Sequence, residues 1–236
     1  MQTGNSKPVT STQQGCHPDL LLRVERHRKH PFRKPVAPFN QAAFDTATEW
    51  LNTQAKPLIL DSGCGVGDST RWLAERFPNH AVLGLDRSED RLHRQRPALP
   101  DNARLLRTDL VDFWRLAAAA DWRPTHHFLF YPNPYPKAAQ LSRRFHAHPV
   151  FPALISLGGQ LEARSNWRIY LDELQASLRH YGIDSRITEI DPEQPAVSAF
   201  EQKYRASGQT LWQLVSLCGH VPDAVQSTLH ADASAQ

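Results

Sequence analysis

The stretch Pro57-Leu-Ile-Leu-Asp61-Ser-Gly63-Cys-Gly65-Val-Gly67-Asp68 is followed by a run of helical spacing to Phe77, then by Ala81-Val-Leu-Gly-Leu-Asp86. Leu58, Ile59 and Leu60 are a short apolar run of the kind that makes a strand buried on both faces. Glycines at alternate positions come next, where a tight turn lets backbone approach a ligand closely. Over 68–77, Trp72, Leu73 and Phe77 gather to one side while Arg71, Glu75 and Arg76 fall elsewhere, which predicts an amphipathic helix. A second apolar strand over 81–85 ends on Asp86. Strand, glycine turn, helix, strand and acid make a nucleotide-binding βαβ unit. The acid, about 20 residues beyond the turn, is placed to accept from a ribose hydroxyl.

Spacing separates two classes of nucleotide. The dinucleotide fingerprint G-x-G-x-x-G, counted from Gly63, needs a glycine where Asp68 stands. What is present is an acid, one spacer and G-x-G-x-G: Asp61, Ser62, Gly63, Cys64, Gly65, Val66, Gly67. This form resembles the first motif of class I S-adenosylmethionine-dependent methyltransferases, whose strand-end acid faces the methionine end of the cofactor. The resemblance implies S-adenosylmethionine, with Asp61, Gly63, Gly65, Gly67 and Asp86 in its site. The competing readings are a ligand-free glycine turn and a dinucleotide site.

At 236 residues the chain suits one domain with added elements and a large core. Its hydrophobic and charged fractions, 40% and 22%, are those of an ordinary globular protein, which excludes fibrous and wholly disordered classes. No apolar run approaches the roughly 20 residues of a membrane span. The polar first 15 residues do not read as a signal peptide, so a cytoplasmic location is expected. Cys16, Cys64 and Cys218 are odd in number, far apart and without a C-x-x-C pair, which argues for a reducing compartment and against zinc. Twelve histidines include no H-E-x-x-H, and the neighbours His126 and His127 point to opposite faces of a strand, so no metal is expected. The net charge of +3 is unevenly spread: Arg23, Arg26, Arg28, Lys29, Arg33 and Lys34 face only Glu25, with His27 and His30 interleaved. Such a stretch is either a footprint for phosphate or a solvated arm without a partner.

In chain order, residues 1–18 are Ser-, Thr- and Gln-rich and predict a disordered N-terminus. Residues 19–39 form a basic arm: a short helix over 19–29, then a connector with Pro31, Pro35 and Pro38. A methyltransferase domain is expected over 40–220 and a tail over 221–236. Asn40 is placed to cap a helix to Gln54, and Ser88 to cap a short helix carrying Arg91, Arg94 and Arg96. A strand over 103–107 ends near Asp109 and leads to a helix over 111–120. The next strand, 125–130, runs into Tyr131-Pro-Asn133-Pro-Tyr135-Pro-Lys137. Helical stretches over 138–157 precede Gly158-Gly159 and a strand over 160–164. Ser165 or Asn166 is then expected to cap a helix to Tyr181. A strand over 185–190, a loop with Pro192 and Pro195, and a last strand over 210–217 follow. This alternation predicts an α/β, doubly wound, mainly parallel sheet. The methyltransferase resemblance implies seven strands, the last antiparallel, in a Rossmann-like domain with an N-terminal helical extension. Ligands of such sheets lie beyond the carboxyl ends of the strands, where Asp61, Asp86, Asp109 and Asn133 all fall.

Alternating prolines cannot continue a strand or enter a helix interior, so 131–137 is stiff and extended. Such a segment either holds a side chain against a ligand or serves as a rigid connector. Here the chain resembles the bacterial tRNA (guanine-N7-)-methyltransferase family, whose motif is F-P-D-P-W-P-K, over about residues 56–217. The resemblance implies that Asp61, Asp86 and Asp109 contact S-adenosylmethionine, and that tRNA is the partner of a monomer or homodimer. The family's basic run ends in Arg-Arg, matched by Arg143 and Arg144. Its Gly-Gly is matched by Gly158 and Gly159, and its Thr-Asp-Trp by Ser165-Asn166-Trp167, with Tyr170 after it. Its guanine-holding T-x-F-E is matched by Ser198, Phe200 and Glu201, and Gly208 and Trp212 fit its ending. Lys137, Arg143, Arg144, Asn166, Ser198, Phe200 and Glu201 are therefore the candidate substrate residues. Asn133 is the candidate catalytic residue and a further cofactor contact.

Departures fall on the substrate side. Asn133 and Asn166 replace acids, and Ala138, Ala139, Gln140, Leu141 and Ser142 replace most of a basic run. Guanine N7 offers a lone pair and no proton, so its methylation needs placement and no general base. A carboxylate at 133 would accept from the N1–H and N2–H edge of guanine, whereas Asn133 turns an NH₂ toward one of those donors. The difference between charge-assisted and neutral hydrogen bonds is on the order of 1–2 kcal/mol, or roughly ten- to thirtyfold. Asn-Pro-Tyr is also similar to the N/D-P-P-Y motif of amino-group methyltransferases, with its proline displaced. A relative that binds cofactor or RNA without methylating is the third reading.

Overall fold

The computed structural model describes residues 4–216. Residues 4–19 hold no helix or strand, yet they lie bonded along the domain; residues 1–3 of the N-terminus expected to be disordered lie outside the described residues. Gly4 N–H donates to the Ala206 carbonyl (2.9 Å), Ser11 Oγ to the Pro136 carbonyl (2.6 Å) and Gln13 Nε2 to Glu173 Oε1 (2.6 Å). Helix α1 (Leu20–Lys29) buries Leu20 and Val24. Helix α2 (Pro38–Gln54) starts on a proline, whose missing N–H has no partner to lose in a first turn. Asn40 is therefore not its cap. It stands inside the first turn, donating from Nδ2 to Asp112 Oδ2 (2.6 Å) and accepting from Thr108 Oγ1 (3.1 Å) and Asp109 N–H (2.9 Å).

The βαβ unit is β1 (Leu58–Ser62), α3 (Asp68–Arg76) and β2 (Ala81–Asp86). It continues through α4 (Glu89–Leu92), β3 (Ala103–Arg107), α5 (Leu110–Ala119) and β4 (His126–Phe130). α4 is a single turn, so Arg94 and Arg96 lie past its end. Two 3₁₀ turns, Ala138–Arg143 and Phe145–Ala147, lead to α6 (Phe151–Leu157), β5 (Gln160–Ser165) and α7 (Arg168–His180). β6 (Ser185–Glu189), α8 (Ala199–Ala206) and β7 (Trp212–Ser216) complete the described chain. Neither Ser165 nor Asn166 caps α7: its N-cap is Trp167, whose N–H donates back to Ser165 Oγ (3.0 Å). The proposed tail over 221–236, and Cys218, lie outside the described residues.

The seven strands run β3-β2-β1-β4-β5-β7-β6, with β7 antiparallel to both its neighbours and the other pairs parallel. Strand order reverses between β1 and β4, and such a reversal opens a crevice at the carboxyl ends of those strands. Every residue of β1 and β2 is buried, as two-sided helical cover requires. One face carries the larger core, including Phe44, Phe113, Trp114, Leu171 and Leu174 from α2, α5 and α7. On the other, Leu73 and Ala74 of α3 pack on Ile59, Val82, Phe128 and Phe130. His127 faces the first core and His126 the second, stacked on Phe128, as neighbours in a strand must. Among the described residues no helix is long and apolar enough to cross a membrane.

Candidate functional site

A cavity of about 590 Å³ opens at the strand-order reversal. Its floor is Ser62 and Gly63, where the chain leaves β1. Gly63, Gly65 and Gly67 have φ of 85°, 61° and 86°, left-handed values that glycine adopts without strain. At Gly67 a Cβ would also come within 2.7 Å of Leu105 Cδ1, so a side chain there would have to displace the end of Leu105 as well as adopt the left-handed backbone. The turn hangs from β2 by hydrogen bonds from Gly63 N–H (2.8 Å) and Cys64 N–H (3.0 Å) to the Leu85 carbonyl.

Asp86 and Asp109 stand on one wall. Asp86, 4% exposed, accepts from Gly65 N–H (3.0 Å) and Ser88 N–H (2.8 Å), and Arg91 reaches it at 3.5 Å. Asp109 is the N-cap of α5, accepting from Val111 N–H (2.8 Å). Both carboxylates are thus held by backbone donors and keep further lone pairs for a ligand.

The opposite wall is the proline segment. Tyr131 and Tyr135 have φ of 51° and 46°, left-handed conformations that cost non-glycine residues about 1–3 kcal/mol each. Each also precedes a proline, which further narrows its choices. Tyr131 N–H is tied to the Arg164 carbonyl (2.9 Å) and the Tyr135 carbonyl to Arg144 Nη2 (3.0 Å). Asn133, between them, is exposed and lines the cavity. Phe200 and Tyr204 of α8 also line the cavity, with Phe200 Cε2 3.8 Å from the position of a Cβ on Gly65.

A glycine turn, two acids and a proline-stiffened segment thus surround one crevice. The methyltransferase family Methyltransf_4 matches residues 55–214, from before β1 into β7. The chain belongs to the tRNA (guanine-N7-)-methyltransferase family, as a divergent member. The matched family is one of methyltransferases. A relative named tRNA (guanine-N(7)-)-methyltransferase from Treponema pallidum (strain Nichols) is 28% identical over 67% of this chain and 66% of its own. One of the same name from Nocardioides sp. (strain ATCC BAA-499 / JS614) is 30% identical over 68% of this chain and 67% of its own. The chain thus spans about two thirds of the length of the curated relatives it matches. Shorter matches, over less than half of this chain, are to trans-aconitate 2-methyltransferases. A solved antibiotic-related methyltransferase shares the fold, with a TM-score of 0.56, 16% identity, and coverage of 73% of this chain and 92% of that one.

Within this divergent methyltransferase, several candidate residues sit elsewhere than sequence placed them. Asp61 is 1% exposed and lies beneath the glycine turn instead of on the cavity wall. Its Oδ2 accepts from Ser69 Oγ and Thr70 Oγ1 (2.7 Å each), which fastens the start of α3, and its Oδ1 has no partner. Burial pushes its carboxyl up to about 6, the two hydroxyls opposing and the Asp86 charge adding.

Arg144, read as a phosphate contact, is fully buried. It pairs with Glu173 (2.6 Å), lies over the Trp167 ring (4.9 Å) and is spent on the Tyr135 carbonyl. Glu201 is also fully buried, bridging Arg164 (3.0 Å) and Arg205 (2.5 Å), and so anchors α8 to β5. Ser198 is the cap of α8, accepting from Glu201 N–H (3.2 Å). Asn166 lies off the cavity and donates to Gln209 Oε1 (2.8 Å). Lys137 is exposed at the start of the 3₁₀ turn, also off the cavity. Of Lys137, Arg143 and Arg144, Arg143 reaches the cavity, its guanidinium stacked 4.4 Å from the centre of the Tyr135 ring.

Ser62, Arg87, Tyr204 and His148 line the cavity without having been singled out. Ser62 Oγ accepts from the buried Trp114 indole (3.1 Å) and shares a hydrogen bond with His127 Nε2 (2.8 Å); burial pushes His127 down to about 3, so it is neutral. His148 Nδ1 accepts from Val150 N–H (3.1 Å), which in the neutral ring leaves the proton on Nε2. Ser62, as the spacer of the first motif, was the one such residue marked by position. Among the described residues no three His, Cys, Asp or Glu side chains are grouped to hold a metal.

Proposed function

We propose that this chain transfers the methyl group of S-adenosylmethionine to N7 of a guanine in tRNA. The observation carrying this reading is that Tyr131–Tyr135, within the segment on which the guanine-N7 likeness rests, line the same cavity as Asp86 and Asp109, with Asn133 among them. Relatives bearing that activity in their names support it.

S-adenosylmethionine, when bound, supplies an electrophilic methyl group on a sulfonium. The residues present fit it: an open Gly63 floor, a ribose acceptor in Asp86, a second fixed acceptor in Asp109, and an aromatic cover in Phe200. Asp61 acts through the turn it supports. N7 has no proton to lose, so the chain's work is to hold the base in line, and Asn133 accepts from the guanine edge. Arg143 contacts phosphate at the mouth. Arg26 and Lys34 of the exposed basic arm extend that footprint; burial, with the His27 and Lys34 charges adding and Asp109 opposing, lowers the pKa of His148 beside it.

Asn133→Asp tests the reading. Asp is nearly isosteric, and the prolines on either side hold it in place. Single-turnover formation of 7-methylguanosine in tRNA should rise by up to roughly ten- to thirtyfold, as a charge-assisted bond replaces a neutral one. No gain would turn the assignment toward an exocyclic amino group, which an asparagine oxygen suits better than a guanine edge.

A further inference from the structure

The segment before α1 touches both flanks of the cavity. At its start, Gly4 N–H donates to the Ala206 carbonyl at the end of α8 (2.9 Å), and Ser6 N–H donates to Ser207 Oγ (3.0 Å). A Cβ on Gly4 would stand 2.6 Å from both the Ala206 carbonyl carbon and the Ser207 nitrogen, so the backbones meet where only glycine fits. The Ser6 carbonyl accepts from Gln209 Nε2 (3.0 Å), and Gln209 in turn holds Asn166. Val9 then packs on the main core. Farther along, Ser11 Oγ donates to the Pro136 carbonyl (2.6 Å). Gln13 bridges the buried ion pair, donating to Glu173 Oε1 (2.6 Å) and accepting from Arg144 Nη2 (3.0 Å). Arg144 is the residue that grips the Tyr135 carbonyl.

These hydrogen bonds therefore end on two parts of the domain. One is α8 with the turn after it, and α8 carries Phe200 and Tyr204. The other is the strained proline segment with its Arg144–Glu173 support. Two left-handed tyrosines persist only where their surroundings over-determine them. We infer that residues 4–17 are a strap that fixes the two walls of the methyl-transfer cavity relative to each other, and that Ser11 and Gln13 are positioning residues for Asn133. The inference rests on the proposed methyl transfer only for its kinetic readout.

The test uses full-length Ser11→Ala, Gln13→Ala, Ser11→Thr and Gly4→Val. Amide exchange over 131–137 should quicken in Ser11→Ala and Gln13→Ala, and exchange over 199–209 in Gly4→Val. Single-turnover methylation of tRNA should fall about fivefold in Ser11→Ala and Gln13→Ala, the worth of one hydrogen bond. Affinity for S-adenosylhomocysteine should stay at the wild-type value, and Ser11→Thr, which keeps the hydroxyl, should recover the rate. Wild-type exchange in all the variants would overturn the strap. So would losses of rate, cofactor affinity and melting temperature in common proportion, which a merely structural segment gives. If the wild type methylates no tRNA, the guanine-N7 reading fails, and the exchange data alone still decide the strap.

Discussion

Asp86→Ala is expected to weaken binding of S-adenosylmethionine and S-adenosylhomocysteine by about a hundredfold or more. The Asp86 carboxylate does two jobs. It accepts from Gly65 N–H and Ser88 N–H, which shapes the glycine turn and the start of α4, and it stands on the cavity wall where a ribose would lie. Charge-assisted hydrogen bonds contribute about 1.5–3 kcal/mol each, so losing one with the ligand and loosening another in the turn reaches about 3 kcal/mol. Asp86→Asn should fall between, since its oxygen serves one backbone donor while its NH₂ opposes the other. Calorimetry with S-adenosylhomocysteine measures both. Wild-type affinity in Asp86→Ala would mean that the cofactor lies elsewhere.

The neighbours Arg143 and Arg144 should part company in a single experiment. Arg144→Ala leaves Glu173 buried without its guanidinium, and breaking one side of a buried pair costs about 3–5 kcal/mol. At about 2–4 °C per kcal/mol for a domain of this size, the melting temperature should drop by roughly 10 °C. Arg143→Ala should leave the melting temperature nearly unchanged and lower the log–log salt slope of tRNA binding by about 0.7–0.9, one phosphate contact. The reverse pattern would restore Arg144 to the substrate side.

Acid adds a second check on this pair. Burial alone would raise the Glu173 carboxyl, but donors from His146, Arg144 and His17 N–H outweigh it and hold the group at about 2. A carboxyl depressed on folding stabilises above its unfolded value near 4.5, and that stabilisation is lost as pH falls toward 2. In Arg144→Ala the loss should begin at higher pH, read as melting temperature between about pH 3 and 7.

The parts of the fold legible in the sequence were those set by apolar run length and backbone demand. The βαβ unit, the glycine turn and all seven strands fall where expected; for β1 and β2 this is because a short aliphatic run leading to an acid has few other uses. What stayed hidden depends on single polar groups. Residues 4–19 have the composition of a disordered segment, and they are held by Ser11, Gln13 and a glycine contact, with Val9 adding apolar packing on the core. Helix α8 escaped notice although Ser198-x-x-Glu201 is a capping box in plain sequence. Arg143 and Arg144 cannot be told apart as letters in a basic run, yet one backbone step turns one toward solvent and the other into the core. Likewise Asn40 reads as a cap, but the proline two residues earlier takes the first turn, and the amide is left to join α2 to α5.

The most direct measurement is nucleoside analysis of tRNA lacking its own 7-methylguanosine, after incubation with the full-length protein and isotopically labelled S-adenosylmethionine. The expected product is labelled 7-methylguanosine, formed by the wild type and lost in Asp86→Ala. Label in a different nucleoside, or RNA binding with no label transferred, would contradict guanine-N7 methylation as the activity of this chain.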